Sequence, residues 1–175
     1  MRRLILWAPL AVFACFLVLV GFRLSRGRDD EVRSHLVGKP VPEFALKPAV
    51  PGRPGLGTAD LKTGGPRLVN VFGSWCIPCA VESPQLLELE RRGVPIDAIA
   101  VRDRPEDVAR FLVRYGDPFQ RIGDDPRSAV QLALGSSGVP ETFVVDGKGV
   151  IRYQHIGVVH ADAVPKIFAA WQAAR

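Results

Sequence analysis

Cys76 and Cys79 stand between an apolar run, Leu68-Val69-Asn70-Val71-Phe72, and a segment with helical spacing over 81–92. This junction constrains the fold more than any other stretch. A run that is apolar almost throughout suits a central strand covered on both faces, hence a sheet with helices on either side. The junction also sets the chemistry. At a helix start, the unpaired N–H groups and the dipole favour negative charge, which holds a cysteine toward the reactive thiolate. Cys76 is therefore the attacking sulfur and the more exposed of the two. Cys79, one turn on, can resolve a mixed disulfide by attacking back. Pro78 fits the first turn, where its missing N–H costs nothing. Two plainer readings stand beside this one. Half of a zinc site would need two more ligands, whereas Cys15 and His35, His155 and His160 are scattered. A purely structural disulfide would gain little from closing so short a loop.

The chain has 175 residues, enough for one domain and an appendage. Leu4 to Phe22 carries no charged residue. It approaches the roughly 20 residues that cross a hydrocarbon core. Pro9 falls near one end, where a spanning helix tolerates it. A cleaved signal peptide is the rival, but Val18, Val20 and Phe22 ahead of Arg23 make a poor cleavage site. The expected layout is a short tail (1–3), a transmembrane anchor (4–22), a juxtamembrane tether (23–37) and a folded domain (38–175). Much of the net charge of +5 sits near the anchor, with six arginines against three acids in residues 1–33. That placement suits anionic headgroups. No basic stripe interleaved with aromatics points to nucleic acid. Charges on both sides of the apolar run leave its orientation unselected.

Within the domain, 48–57 reads as loop and 59–61 as a single turn. Strands are predicted over 67–73, 95–101, 119–122, 141–145 and 150–156, the last two joined by an Asp146–Gly149 turn. Helices are predicted over 81–92, over 104–115, from Asp124-Asp125-Pro126 onward, and over 161–173. The order is β-α-β-α-β-α-β-β-α, a mixed sheet flanked by helices.

That order, with the cysteine pair after the first strong strand, resembles the thioredoxin fold. Val71-Phe72-Gly73-Ser74-Trp75-Cys76-Ile77-Pro78-Cys79, Gly138-Val139-Pro140-Glu141-Thr142-Phe143 and the stretch from Asp146 to Gly157 together resemble the DsbE/CcmG family. These are membrane-anchored thiol–disulfide proteins of cytochrome c maturation. The resemblance runs from about Val37 to the C-terminus, and the anchor agrees with it. It implies an α/β, thioredoxin-like domain preceded by one transmembrane helix and facing the periplasm from the inner membrane. It implies a redox pair at Cys76 and Cys79, with Trp75 as the aromatic before it and Pro78 within the tuning dipeptide. Ile77-Pro78 differs from the Pro-Thr of some relatives. Pro140 matches the cis proline that faces the disulfide, leaving the backbone of Val139 to pair with an extended substrate. Glu82 and Glu141 match acidic residues near the cysteines, where a carboxylate raises thiol pKa values or takes a proton from Cys79.

Thioredoxin itself has a buried Asp where Asn70 stands here, so Glu82 is expected to supply the proton handling. A solvated residue near the helix start is its plain alternative. Asp103, at the end of its strand, reads as a residue of a helix N-cap region, with a place near the site as the alternative, and Tyr153 and His155 read as structural. The implied activity is disulfide reduction, in apocytochrome c or a thiol-bearing assembly partner. Electrons would come from a thiol-type membrane donor, and no metal, organic cofactor or nucleic acid is called for. A general exported reductase is the rival activity. An apocytochrome-binding module without redox turnover is the rival of another class.

Overall fold

The computed structural model describes residues 2–25 and 34–175, with the side chains of the first helix described at Trp7, Pro9 and Val12–Phe22. It divides into two units, Met1–Glu31 and Val32–Arg175. The first is α1 (Arg2–Ser25). Among the described residues, no helix is long and apolar enough to cross a membrane. Residues 26–33 of the expected tether lie outside the described residues.

The second unit contains β1 (Ala45–Leu46), β2 (Leu56–Gly57), α2 (Thr58–Leu61), β3 (Arg67–Phe72), α3 (Ile77–Arg91), β4 (Ile96–Val101) and α4 (Pro105–Tyr115). After these come β5 (Ile122–Asp125), α5 (Ala129–Ala133), β6 (Glu141–Val145), β7 (Ile151–Ile156) and α6 (Val164–Ala173). Five strands form one sheet in the order β5-β4-β3-β6-β7. β3 runs parallel to β4 and β4 to β5, while β3–β6 and β6–β7 are antiparallel. β3 lies at the centre and is buried along its whole length except at Arg67.

Alternation along β3 assigns its side chains to two cores. Leu68 and Phe72 join Leu86, Leu89, Phe111 and Ile167 on one face, and Val69 and Val71 join Ile99, Phe143 and Ile151 on the other. Each such side chain removed from water contributes about 1.5–3 kcal/mol. Asn70 shares the face of Leu68 and Phe72, so an amide points into an apolar core toward α3.

The structure departs from the sequence reading at several places. Strand pairing expected over 119–122 begins at Ile122. Phe119 is drawn instead into an aromatic cluster, its ring 5.2 Å from Phe72, which also meets Phe111 at 5.5 Å. Asp124 and Asp125 belong to β5 rather than opening a helix. Asp125 reaches forward to accept from the N–H groups of Ala129, Val130 and Gln131 at 2.8–2.9 Å, so it caps α5 from the strand. The segment read as loop over 48–57 includes β2, which pairs with β1. By contrast, α3 begins at Ile77, directly after Cys76, as expected of a cysteine at a helix start with Pro78 in the first turn.

Residues just before 38 are also packed. Ser34 is buried; its N–H donates to Gln154 Oε1 at 2.6 Å and its hydroxyl to the Leu134 carbonyl at 2.6 Å. Gly38 N–H donates to the Ile151 carbonyl and Ile151 N–H to the Lys39 carbonyl. This segment covers part of the outer edge of β7, which would otherwise present unpaired backbone groups.

Candidate active site

β3 delivers the chain to the end of the sheet and Gly73 turns it. Cys76 N–H donates back to the Gly73 carbonyl at 3.0 Å. A Cβ at Gly73 would lie 2.7 Å from the Trp75 ring, so only glycine lets the indole fold over the turn. Trp75 Nε1 donates to the Val101 carbonyl at 3.1 Å, fixing the ring against the end of β4. Cys76 then caps α3, its Sγ accepting from Cys79 N–H at 3.2 Å. The two cysteines are joined as a disulfide with Cα atoms 5.3 Å apart. Cys76 is 5% exposed and Cys79 2%, so both are recessed and the first is the more accessible. Around them stand three exposed apolar side chains, Trp75, Ile77 and Val81. Pro78 occupies the exposed first turn.

The Val139–Pro140 peptide is cis. In the β3–β6 register Glu141 lies opposite Val71, which puts Val139 and Pro140 at the end of β3 where the cysteine loop departs. The same register sends the two glutamates to opposite faces of the sheet. Glu141 shares the face of Val71, whereas Asn70 and Thr142, a directly opposed pair, face α3 and Glu82.

Glu82 is completely buried. It follows Cys79 by three residues on one helix face. Its Oε1 accepts from Asn70 Nδ2 and its Oε2 from Val159 N–H, each at 2.9 Å. Burial pushes its carboxyl up to about 7, and these two hydrogen bonds restrain the rise. It is therefore not a solvated residue of the helix start. Asn70 Nδ2 also donates to Thr142 Oγ1 at 3.1 Å, while Asn70 Oδ1 has no hydrogen-bond partner.

Glu141 is equally buried. It accepts from Ser137 N–H at 3.2 Å, Ser137 Oγ at 3.3 Å and Gln154 Nε2 at 3.0 Å. Burial raises its carboxyl pKa, opposed by hydrogen bonds from Ser136, Ser137 and Gln154. Gln154 in turn accepts from Ser34 N–H, so a chain of bonds runs from the carboxylate beside the cis proline to the start of the described domain. Sequence reasoning missed Gln154 and Ser34. They are 120 residues apart, and no local pattern marks either.

Asp103 takes the alternative place, beside the active-site turn. Besides accepting from Arg104 N–H at 2.9 Å, it accepts from Ser74 Oγ at 2.7 Å and from Ser74 N–H. It ties the residue before Trp75 to the end of β4. His155 Nε2 lies 3.0 Å from the Val158 carbonyl, and the Tyr153 ring lies 5.7 Å from Lys166 Nζ. Neither contact is with the cysteines.

A recessed disulfide at a helix start, beside a cis proline and above a carboxyl pushed up to about 7, can be opened by an external thiolate, and as a dithiol it can reduce an external disulfide. The chain matches the Redoxin family over residues 36–170. It is similar to the thiol:disulfide interchange protein HelX of Rhodobacter capsulatus, 36% identical over 166 residues that cover 95% of this chain and 94% of that one. It is also similar to the thiol:disulfide interchange protein DsbE of Pseudomonas fluorescens, 41% identical over 162 residues, covering 91% and 88%. Among solved structures, a DsbF homologue from Corynebacterium diphtheriae superposes with a TM-score of 0.63 at 24% identity, covering 83% of this chain and 94% of that one. That likeness gives the fold, a thioredoxin-like α/β sheet with flanking helices.

Proposed function

Since the chain belongs to the redoxin family, among the thiol:disulfide interchange proteins of DsbE type, we propose that it works as a membrane-tethered reductase of protein disulfides in cytochrome c assembly. The observation that supports the order of the sulfur steps is the asymmetry of the pair. Cys76 caps α3 and is the more accessible sulfur, while Cys79 is recessed on the helix face that carries Glu82.

In the reduced protein, the Cys76 thiolate is favoured by the α3 N-terminus. It attacks one sulfur of the substrate disulfide. That S–S bond breaks, a mixed disulfide forms, and the other substrate sulfur leaves as a thiolate that takes up a proton. Cys79 then loses its proton and attacks the Cys76 sulfur, closing the Cys76–Cys79 bond and releasing the substrate as a dithiol. Glu82, with its carboxyl near neutrality, accepts the Cys79 proton at this step. The backbone at Val139, next to the cis bond, pairs with the substrate strand, and Trp75 packs over it. Glu141, behind this loop on the other face, fixes the segment from Ser137 to Pro140 through its hydrogen bonds.

The anchor is the charge-free run from Leu4 to Phe22, followed by arginines suited to headgroups. The domain faces the periplasm, where haem-attachment cysteines would otherwise pair off. The substrate is apocytochrome c or a thiol protein that hands it on. Electrons return through a thiol-type membrane donor. The test is a Cys79→Ala variant expressed in native membranes, in which the mixed disulfide cannot be resolved. Capture of chains carrying Cys-x-x-Cys-His, or of one dedicated assembly protein, supports the reading. Capture of many unrelated exported proteins makes the protein a general envelope reductase. If Cys76→Ser with Cys79→Ser leaves cytochrome assembly intact, the protein is a binding module without redox turnover.

A further inference from the structure

Beside the active site, the length of α4 and the residues just after β4 line an open groove of about 860 Å³ whose near wall is Trp75. Its lip is basic. Arg102, Arg104, Arg110 and Arg114 line it together with Asp103 and Asp107. The two acids are occupied locally. Asp103 holds Ser74, and Asp107 pairs with Arg110. Arg114 lies over the Tyr115 ring at 5.2 Å. Arg102 and Arg104, by contrast, have no carboxylate partner among the described residues. Along the groove, Trp75 is 56% exposed and Val113 90%.

Arg102 is held in an unusual way. Its φ of 49° lies in the left-handed region, which side chains other than glycine adopt at a cost. Ser128, buried beneath it, has a φ of 55°, and Arg102 Nε donates to its Oγ at 2.9 Å. Arg102 N–H donates to the Asp125 carbonyl at 3.2 Å. Two strained residues are thus bonded to each other, and what they fix is a guanidinium at the mouth of the groove. With its Nε engaged, the terminal nitrogens remain to bind a carboxylate, and the planar fork suits that geometry.

We infer that this groove receives the polypeptide flanking the substrate disulfide, and that Arg102 and Arg104 select segments with an Asp or Glu close to the cysteines. Trp75 and Val113 take apolar side chains of the same segment. The inference rests on the reading of the protein as a protein-disulfide reductase. It adds a determinant of which disulfides react, separate from the residues that exchange sulfur.

The experiment uses the full chain in detergent, reduced beforehand, and follows a single turnover. Three synthetic peptides share one Cys-x-x-Cys disulfide and differ only in being flanked by Asp, Asn or Lys. Each rate is divided by the rate of the same peptide with dithiothreitol, which removes the effect of flanking charge on the disulfide itself. Hydroxyethyl disulfide serves as a small neutral substrate. The Asp peptide should react about fivefold faster than the Asn peptide at low salt, with the Lys peptide slowest. That advantage should vanish at about 1 M salt, where screening acts on the order of 3 Å. Arg102→Ala with Arg104→Ala should erase the order among peptides while leaving hydroxyethyl disulfide within about twofold of the parent rate.

Equal normalised rates for the three peptides, or an Asp advantage that survives in the double variant, would overturn the inference. So would equal peptide rates combined with a loss of binding to anionic phospholipid vesicles, which would assign the basic lip to a membrane surface. Failure to reduce even hydroxyethyl disulfide would instead sink the reductase reading, and the groove assignment with it.

Discussion

Glu82→Gln replaces a fully buried carboxyl with a side chain of the same shape that never ionises. In the folded protein the carboxyl keeps its proton up to about pH 7, because burial penalises the charge. In the unfolded chain it titrates near 4.5. Between those values the folded state binds more protons than the unfolded one. Unfolding free energy therefore falls as pH rises through the window. A displacement of about 2.5 pH units corresponds to a penalty of about 3 kcal/mol once the group is ionised in both states. At pH 5 the penalty is already about 1 kcal/mol, since the unfolded carboxyl is mostly ionised there. The advantage of Glu82→Gln over the parent should thus grow by about 2–3 kcal/mol between pH 5 and pH 8.

The amide also changes hydrogen bonding. Its oxygen can accept from Val159 N–H, and its NH₂ can donate to Asn70 Oδ1, which lacks a partner in the parent, if the Asn70 amide turns over. That contributes an offset independent of pH, so the slope of the difference is the informative quantity. The assay is reversible urea unfolding of both oxidised full chains in detergent, followed by tryptophan fluorescence at several pH values from 5 to 8. The disulfide keeps the cysteines from titrating. A difference in unfolding free energy that stays flat across the range would refute the argument that Glu82 sits near neutrality, and with it the role of Glu82 as proton acceptor.

Gln154→Leu removes the donor to Glu141 and the acceptor for Ser34 N–H. It should cost about 1–3 kcal/mol. Because Glu141 loses a bond that opposes its raised pKa, the loss should be greater at pH 8 than at pH 5, and a pH-independent loss in urea unfolding would show that Glu141 does not rely on that bond. Trp171→Phe deletes the bond from Nε1 to the Pro66 carbonyl, 2.7 Å long and at the far end of β3 from the cysteines. It should lower stability by about 1 kcal/mol and leave single-turnover disulfide exchange unchanged, so a slower exchange would mean that the two ends of the strand are coupled.

Those parts of the fold that depend on local pattern were legible in the sequence. β3, β6 and α4 fall where apolar runs and Pro–Gly boundaries put them, and the strand–helix order agrees with the sheet observed. The cis geometry of Val139–Pro140 followed from resemblance, since nothing in an isolated Val-Pro step requires it. What stayed hidden depends on partners distant in sequence. Phe119 looked like a strand residue because β-propensity favours aromatics, but contacts with Phe72 and Phe111 decide its place. Asp125 and Asp103 both looked like helix-start residues. One caps its helix from inside a strand, and the other holds Ser74, 29 residues away. Ser34 looked like tether because its neighbours are polar, yet it is buried against Gln154 and Leu134.

The polar groups of the α3-facing core form a single unit. Burying an amide and a carboxyl in an apolar core costs several kcal/mol unless hydrogen bonds offset it. Here they do so incompletely, since Asn70 Oδ1 is left over while Asn70 Nδ2 serves both Glu82 and Thr142. A core built only for stability would place apolar side chains at 70 and 82. The incomplete set has a different property. With Glu82 ionised, the carboxylate accepts from Asn70 Nδ2. With Glu82 protonated, its hydroxyl can donate to Asn70 Oδ1 after the amide turns over, and Thr142, whose hydroxyl both donates and accepts, suits either orientation. The unpartnered oxygen is therefore the acceptor that the protonated state needs. In the proposed mechanism, where Cys79 is the resolving thiol, this is how the Glu82–Asn70–Thr142 group would hold or release one proton behind it.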